Sequence, residues 1–212
     1  MKKAAILRTN NEVGDGYANA FIEEFKKYDG ITTINEAYDT EEEFNTKLLK
    51  IKSKSPDIIF LAGCKGKTIA KIIQIANLLE IEAVFVGTTT TQDKIVIEIG
   101  GESVEGLYYS YPDFDANSVT STKAKNFVKN YELMYGEKPE IAAANNYDAM
   151  YIIAKAIENC GNAEDTDCIR DELYATQNYE GVTGIQSFDE NGDVEKEVII
   201  KQIQDGEFVA VT

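Results

Sequence analysis

Histidine and tryptophan are absent from this 212-residue chain, and cysteine and proline each occur only three times. Without histidine the chain lacks the commonest general base and the commonest transition-metal ligand, and any triad built on imidazole is excluded. Mainly cysteine or carboxylate chemistry is left for an enzyme. No apolar run approaches the roughly 18 residues that span a bilayer. Met1-Lys2-Lys3 leads straight into a strand-like run, without the apolar core and cleavage site of a signal peptide. The chain as it stands is expected to be soluble, in the form that the mature part of an exported protein also takes. Positive charge is scarce too: 37 acidic residues face 21 Lys and Arg, a formal charge of −16. A surface that negative repels phosphate backbones and anionic lipid, so neither nucleic acid nor a membrane surface is expected as a partner.

The cysteines are unevenly placed. Cys160 and Cys168 flank a polar turn between two helical patterns, a separation that a disulfide can close with roughly 2–3 kcal/mol of chain-entropy stabilisation. Such a bond would go with an oxidising compartment. Two free thiols at helix ends are the alternative, and Cys64 is left unpaired in either case.

Apolar patterning sets the fold. Strand-like runs begin near Ala4, Ile31, Ile58 and Ala83, each followed by a helical pattern, a beat of about 25 to 27 residues. The run from Asp57 to Ala62 is apolar after its first residue, as in strands buried on both faces of a parallel sheet. The first helix follows a polar, glycine-containing loop at Asn10–Gly16 and carries Tyr17, Phe21 and Phe25 on one face. A doubly wound α/β sheet follows, of Rossmann-like form, with a fifth short strand at Leu107–Tyr111. After Pro112 come three helices with no strand of their own to cover, ending near Tyr135, after Ile157 and near Thr176. The tail reads as hairpin strands at Gly181–Phe188, Val198–Ile203 and Phe208–Val211.

Several motifs dissolve on inspection. Gly63-Cys64-Lys65-Gly66-Lys67-Thr68 ends like a phosphate-binding loop, but Leu61 stands where the first glycine is required, and an ordinary strand-to-helix turn explains it. Asp189-Glu190-Asn191-Gly192-Asp193 has its glycine two places early for a calcium loop and reads as a hairpin turn. Gly14-Asp15-Gly16 lacks the third glycine of a dinucleotide fingerprint, with Asp15 placed to cap the following helix. No metal site and no cofactor are expected. Thr88–Thr91, directly after the fourth strand, offers hydroxyls at a helix entrance, suited either to a small polar ligand or to capping.

In a sheet of order 2-1-3-4-5 ligands sit at the carboxyl ends of the strands, where the order reverses. The loops after the first, third and fourth strands then share one rim. The candidate ligand-binding residues are Asn10, Val13, Gly14, Cys64, Lys65, Thr88, Thr89 and Thr90. Lys65 and Lys67 can lower the pKa of Cys64, but with no base in view a binding or packing role is favoured over catalysis.

Five pieces, NNEVGDGYANAF, PDIIFLAG, GESVEGLYYSYP, YGEKPEIAAANNYDAMYIIAKAIE and YEGVTGIQSFDENGDV, follow one another as they do in a known family. On these the chain resembles the type I periplasmic binding proteins of ABC transporters, in the branched-chain amino-acid branch. The resemblance implies that residues 1–112 and 198–212 form the second lobe. It implies that residues 113–197 are part of a first lobe, helices and a hairpin without their sheet, whose first half lies outside this chain. It implies a small-molecule ligand held between two lobes without catalysis, an ABC permease as partner, and a periplasmic or extracellular location, lipoprotein anchoring included. A ligand-sensing receptor or regulator of the same fold is the alternative. The apolar helix faces at Tyr147, Met150 and Tyr151, left without their sheet, lead to the expectation of a homodimer or a rearranged packing. The family commonly places an aromatic residue before the glycine of the first loop, another after the third strand and an acidic residue after the fourth; the matching positions are Val13, Cys64 and Thr89, and all three depart. Loss of the carboxylate removes a partner for an α-ammonium worth roughly 1.5–3 kcal/mol. The expected ligand is therefore neutral or anionic and met by threonine hydroxyls.

Overall fold

A computed structural model describes residues 2–211, and the chain divides into two compact units. Unit 1 comprises residues 1–111 and 199–212, and unit 2 comprises Pro112–Val198. Met1 and Thr212, the outer ends of the expected second lobe, lie outside the described residues.

Unit 1 alternates strands and helices: β1 (Lys3–Thr9), α1 (Glu12–Lys27), β2 (Ile31–Tyr38), α2 (Phe44–Lys52), β3 (Ile58–Ala62), α3 (Gly66–Leu78), β4 (Val84–Gly87), α4 (Lys94–Gly100) and β5 (Tyr108–Pro112). β1 pairs in parallel with both β2 and β3, β3 with β4, and β4 with β5. The strand order 2-1-3-4-5 on which the placing of the loops rests is present, and the sheet continues into the strands near the chain's end. Both faces of β1 are covered. Ala5 and Leu7 face a core that Phe44, Leu48 and Ile51 of α2 share with Ile69, Ile72 and Ile73 of α3. Ile6 faces the opposite side, with Phe60, Ala18, Phe21 and Ile22. The alternation is why the strand reads as a continuous apolar run.

Two readings of the first βα unit change. The helix begins at Glu12, so most of the supposed loop Asn10–Gly16 is its first turn and a half; the cap is Asn11, whose Oδ1 accepts the Gly14 N–H at 2.9 Å. Asp15 does not cap: it lies inside the helix and pairs with Arg8 at 2.7 Å. Tyr17 is exposed, while Phe21 stacks on Phe60 with ring centres 4.6 Å apart. Small residues, Gly14 and Ala18, let the helix lie close to the sheet.

Unit 2 contains α5 (Thr122–Tyr135), α6 (Ile141–Cys160), α7 (Thr166–Tyr174), β6 (Tyr179–Gly181), β7 (Gly184–Phe188) and the short β8 (Val194–Glu195). Its core is small: Phe114, Ala124, Phe127, Val128, Ala144 and Val182, with Tyr147 half-buried against Phe127 at 4.6 Å. Cys160, at the end of α6, is joined to Cys168 on α7. Gly181–Phe188, expected as one strand, is broken at Val182-Thr183 into an antiparallel pair. The cause is Asp148 on α6, 1% exposed. Its Oδ1 accepts the Val182 N–H at 2.7 Å, and its Oδ2 accepts the Thr183 N–H at 2.9 Å, the Thr183 hydroxyl at 2.8 Å and the Gln186 amide at 2.9 Å. A buried carboxylate demands donors, and the backbone turns back to supply them. The half-buried Lys196, whose pKa burial pushes down, donates to Asn145 at 2.6 Å. Leu133, Met134, Met150, Tyr151 and Ile153 of α5 and α6 stand exposed.

The chain re-enters unit 1 through β9 (Val198–Gln204), which lies beside β5 and carries β10 (Glu207–Ala210) antiparallel to it at the sheet edge.

Candidate functional site

The loops after β1, β3 and β4 meet at the carboxyl end of the unit 1 sheet. Glycines bring the first two together. Gly63 has φ +70°, a conformation open to glycine at little cost. A Cβ on Gly63 would lie 2.8 Å from Thr9 Oγ1 and 3.1 Å from Gly14 Cα, and one on Gly14 would lie 2.2 Å from the Thr9 carbonyl oxygen. The first and third loops therefore meet at Gly63, against the Thr9 hydroxyl and the Gly14 backbone. The fourth joins them through Thr90, whose hydroxyl donates to the Cys64 carbonyl at 2.6 Å and sits 3.2 Å from the Thr88 hydroxyl. A Cβ on Gly66, the first residue of α3, would lie 3.0 Å from Asp93 Cβ on the fourth loop, so the two loops also meet there.

The candidate residues differ in what they present. Val13 is 59% exposed on the first turn of α1 and offers an apolar surface. Gly14 is buried and serves the loop contact. Asn10 is exposed, but its amide is turned to Asp39, at 2.9 Å, and its N–H to the Tyr38 carbonyl. Lys65 is exposed beside the start of α3 and makes no ion pair among the described residues. Thr89 is partly buried, Thr90 is exposed and Thr88 is nearly closed off. The Thr91 hydroxyl is buried without a partner among the described residues.

Cys64 requires a correction. Its side chain is fully buried in the core, where the thiol accepts a hydrogen bond from Tyr38 Oη at 3.3 Å. Burial pushes its pKa up to about 12, with the Tyr38 contact opposing only in part. Proximity in sequence to Lys65 and Lys67 does not activate it, because the backbone after Gly63 carries the thiol inward and leaves the lysines in water. Only its carbonyl takes part in the rim. Tyr38 in turn has its phenol pKa raised, chiefly by burial and then by Cys64.

A second polar group at this end of the sheet escaped the sequence reading. Gln92, after the threonine turn, accepts from Tyr109 Oη on β5 at 2.9 Å and from Lys201 Nζ on β9 at 2.7 Å. The Lys201 ammonium also lies over the Tyr111 ring, 5.3 Å from its centre. These residues are far apart in sequence and no local pattern joins them; only the strand order does.

The N-terminal ends of α1 and α3, threonine hydroxyls and an exposed ammonium are thus gathered at one end of a doubly wound sheet, the arrangement of a small-molecule-binding α/β lobe. Comparison with known proteins narrows the class. The model of the periplasmic binding protein family matches residues 1–207, and the chain belongs to that family. It is 23% identical over 195 residues to the leucine-, isoleucine-, valine-, threonine- and alanine-binding protein of Pseudomonas aeruginosa, covering 91% of this chain and 50% of that protein. Among solved structures it is similar to the leucine-binding protein LivK of Thermotoga maritima, with a TM-score of 0.84 and 28% identity over 100% of this chain and 60% of that one. The transporter substrate-binding protein LivJ of Streptococcus pneumoniae, solved with isoleucine, gives a TM-score of 0.73 and 26% identity over 99% of this chain and 60% of that one. The chain spans about half the length of the curated relatives it matches.

Proposed function

We propose that this chain is part of the extracytoplasmic solute-binding component of an ABC transporter. Unit 1 supplies one wall of the ligand site, at its loop rim. The opposing wall belongs to the portion of the relatives' length that this chain does not span. The ligand is a small polar molecule, an amino acid or a related compound, bound without chemical change and delivered to an ABC permease, in the periplasm or outside the cell. The observation that carries this reading is the meeting of the loops after β1, β3 and β4 at one rim through Gly14, Gly63 and Thr90, in a chain of this family. The Cys64 thiol is turned into the core with its pKa pushed up to about 12, which argues against its attacking a ligand at the rim.

The rim also bears on ligand class. Thr89 offers a neutral hydroxyl and Lys65 a positive charge, the Thr90 proton is already given to the Cys64 carbonyl, and the Asp93 carboxylate already accepts the Ile95 N–H at 3.0 Å as a helix cap. A neutral or anionic group suits these partners better than an ammonium. Isothermal titration of the complete gene product with leucine, isoleucine, their amides and small organic acids tests both levels. Saturable binding of an acid or amide, weakened in Thr89→Val, is the expected result. Tight leucine binding would remove the anionic or neutral assignment, and binding of nothing in the panel would remove the solute-binding reading.

A further inference from the structure

Gln92 stands where three distant parts of unit 1 converge. It closes the turn that carries Thr88–Thr90, directly before Asp93, the cap of α4. Its single carboxamide oxygen accepts from Tyr109 and from Lys201, 17 and 109 residues away. Tyr109 is fully buried, its ring edge-on to Tyr111 and to Phe208 of β10 with centres 6.2 and 6.0 Å apart. Unit 1 is left at Tyr111, just after Tyr109, and re-entered at Ile199, just before Lys201. One oxygen therefore fastens the threonine loop to the strand by which the chain departs and to the strand by which it returns. The other end of the same loop is fastened by the Thr90 hydroxyl to the Cys64 carbonyl.

We propose that Gln92 is a positioning residue for the threonine loop: through its two acceptor bonds it holds Thr88–Thr90 in register with the departing and returning strands, so that the loop and these strands move as one. The proposal rests on the reading of that loop as a ligand contact, but the tie itself can be tested without ligand. A residue that merely occupies space at this point needs only bulk. A tie needs a carbonyl oxygen facing two donors. Nor is satisfaction of the buried Tyr109 hydroxyl a sufficient account, since the same oxygen also takes the Lys201 ammonium.

Amide hydrogen exchange of the chain, read by mass spectrometry in Gln92→Leu, Gln92→Glu, Lys201→Met and the double variant Gln92→Leu with Tyr109→Phe, separates these roles. Exchange at residues 87–93 is expected to rise at least about tenfold in Gln92→Leu and to rise also in Lys201→Met, while β1 and β3 stay protected. Gln92→Glu keeps the acceptor and should restore wild-type protection. In the double variant the loop should remain unprotected although the Tyr109 hydroxyl that would be left unsatisfied is gone. The proposal is overturned if Gln92→Leu leaves residues 87–93 unchanged, if removing the Tyr109 hydroxyl restores protection, or if β1 and β3 lose protection equally. Because no ligand is present, a failure here is distinct from a failure of the solute-binding reading.

Discussion

Replacing Asp148 by asparagine tests the account of unit 2 most directly. The substitution keeps the shape and removes one acceptor. With its oxygen at the Oδ2 position, asparagine keeps the bonds from Thr183 N–H, the Thr183 hydroxyl and Gln186, and turns its NH2 against the Val182 N–H. The opposite orientation loses three bonds instead of one. The better orientation leaves one buried donor unsatisfied, at about 1–3 kcal/mol, and strips charge assistance from the remaining bonds. A loss of about 2–4 kcal/mol follows. Asp148→Ala, which strands the Val182 and Thr183 donors and leaves the Gln186 amide only its 3.1 Å bond to the Thr183 hydroxyl, should lose about 3–5 kcal/mol. Urea unfolding followed by far-ultraviolet circular dichroism and tyrosine fluorescence reads the change, with hydrogen exchange at Val182 and Thr183 assigning it to unit 2. At a urea slope of about 1–3 kcal/mol per M, the unit 2 midpoint should fall by about 0.7 M or more in Asp148→Asn. A shift below about 0.5 kcal/mol would refute the claim that the carboxylate organises the hairpin, and would show the turn to be set by Gly181 and Gly184 alone.

The thiols give a second expectation. With Cys160 bonded to Cys168 and Cys64 buried with its pKa pushed up to about 12, the native chain should show no rapid reaction with an aromatic disulfide reagent at pH 8. The denatured, unreduced chain should show one thiol; fast native labelling would contradict the inward placement of Cys64. A third concerns association. The exposed apolar side chains of α5 and α6, among them Met134, Met150 and Tyr151, should support a dimer of this chain in sedimentation velocity, favoured by salt that screens the −16 charge. Dissociation should follow Met150→Glu with Tyr151→Lys, and a monomer at all concentrations would count against the interface.

The periodic part of the fold was legible because its signals are local. Each strand of β1 to β5 is a short apolar run between polar turns, and each helix repeats its apolar residues on one face. The meeting of the loops after β1, β3 and β4 was legible by the same route, since strand order alone brings them to one rim. What those loops present was less so. Asn11 rather than Asp15 caps α1 because the choice depends on where the backbone first turns helical, and Asn10-Asn11 and Asp15 are both good cap chemistry. Cys64 left a choice between binding and packing, and a left-handed Gly63 decides its direction, a conformation that leaves no periodic trace. Gln92, Tyr109 and Lys201 meet only once β9 lies beside β5, a register that no short motif announces. The break between β6 and β7 is likewise imposed from α6, more than thirty residues away, by a carboxylate that looks like any other polar residue on a helix.

The division of unit 1 into two stretches of sequence has a consequence for the chain while it is being made. β1 to β5 leave the ribosome in order, and neighbouring strands can pair at once. β9, the partner of β5, is encoded only after the whole of residues 112–198. At about 5–20 residues per second, the β5 edge stays open for roughly 4 to 17 s with its N–H and C=O groups unpaired. During that interval the chain's own β9 does not yet exist, and the open edge is free to pair with a strand from another copy.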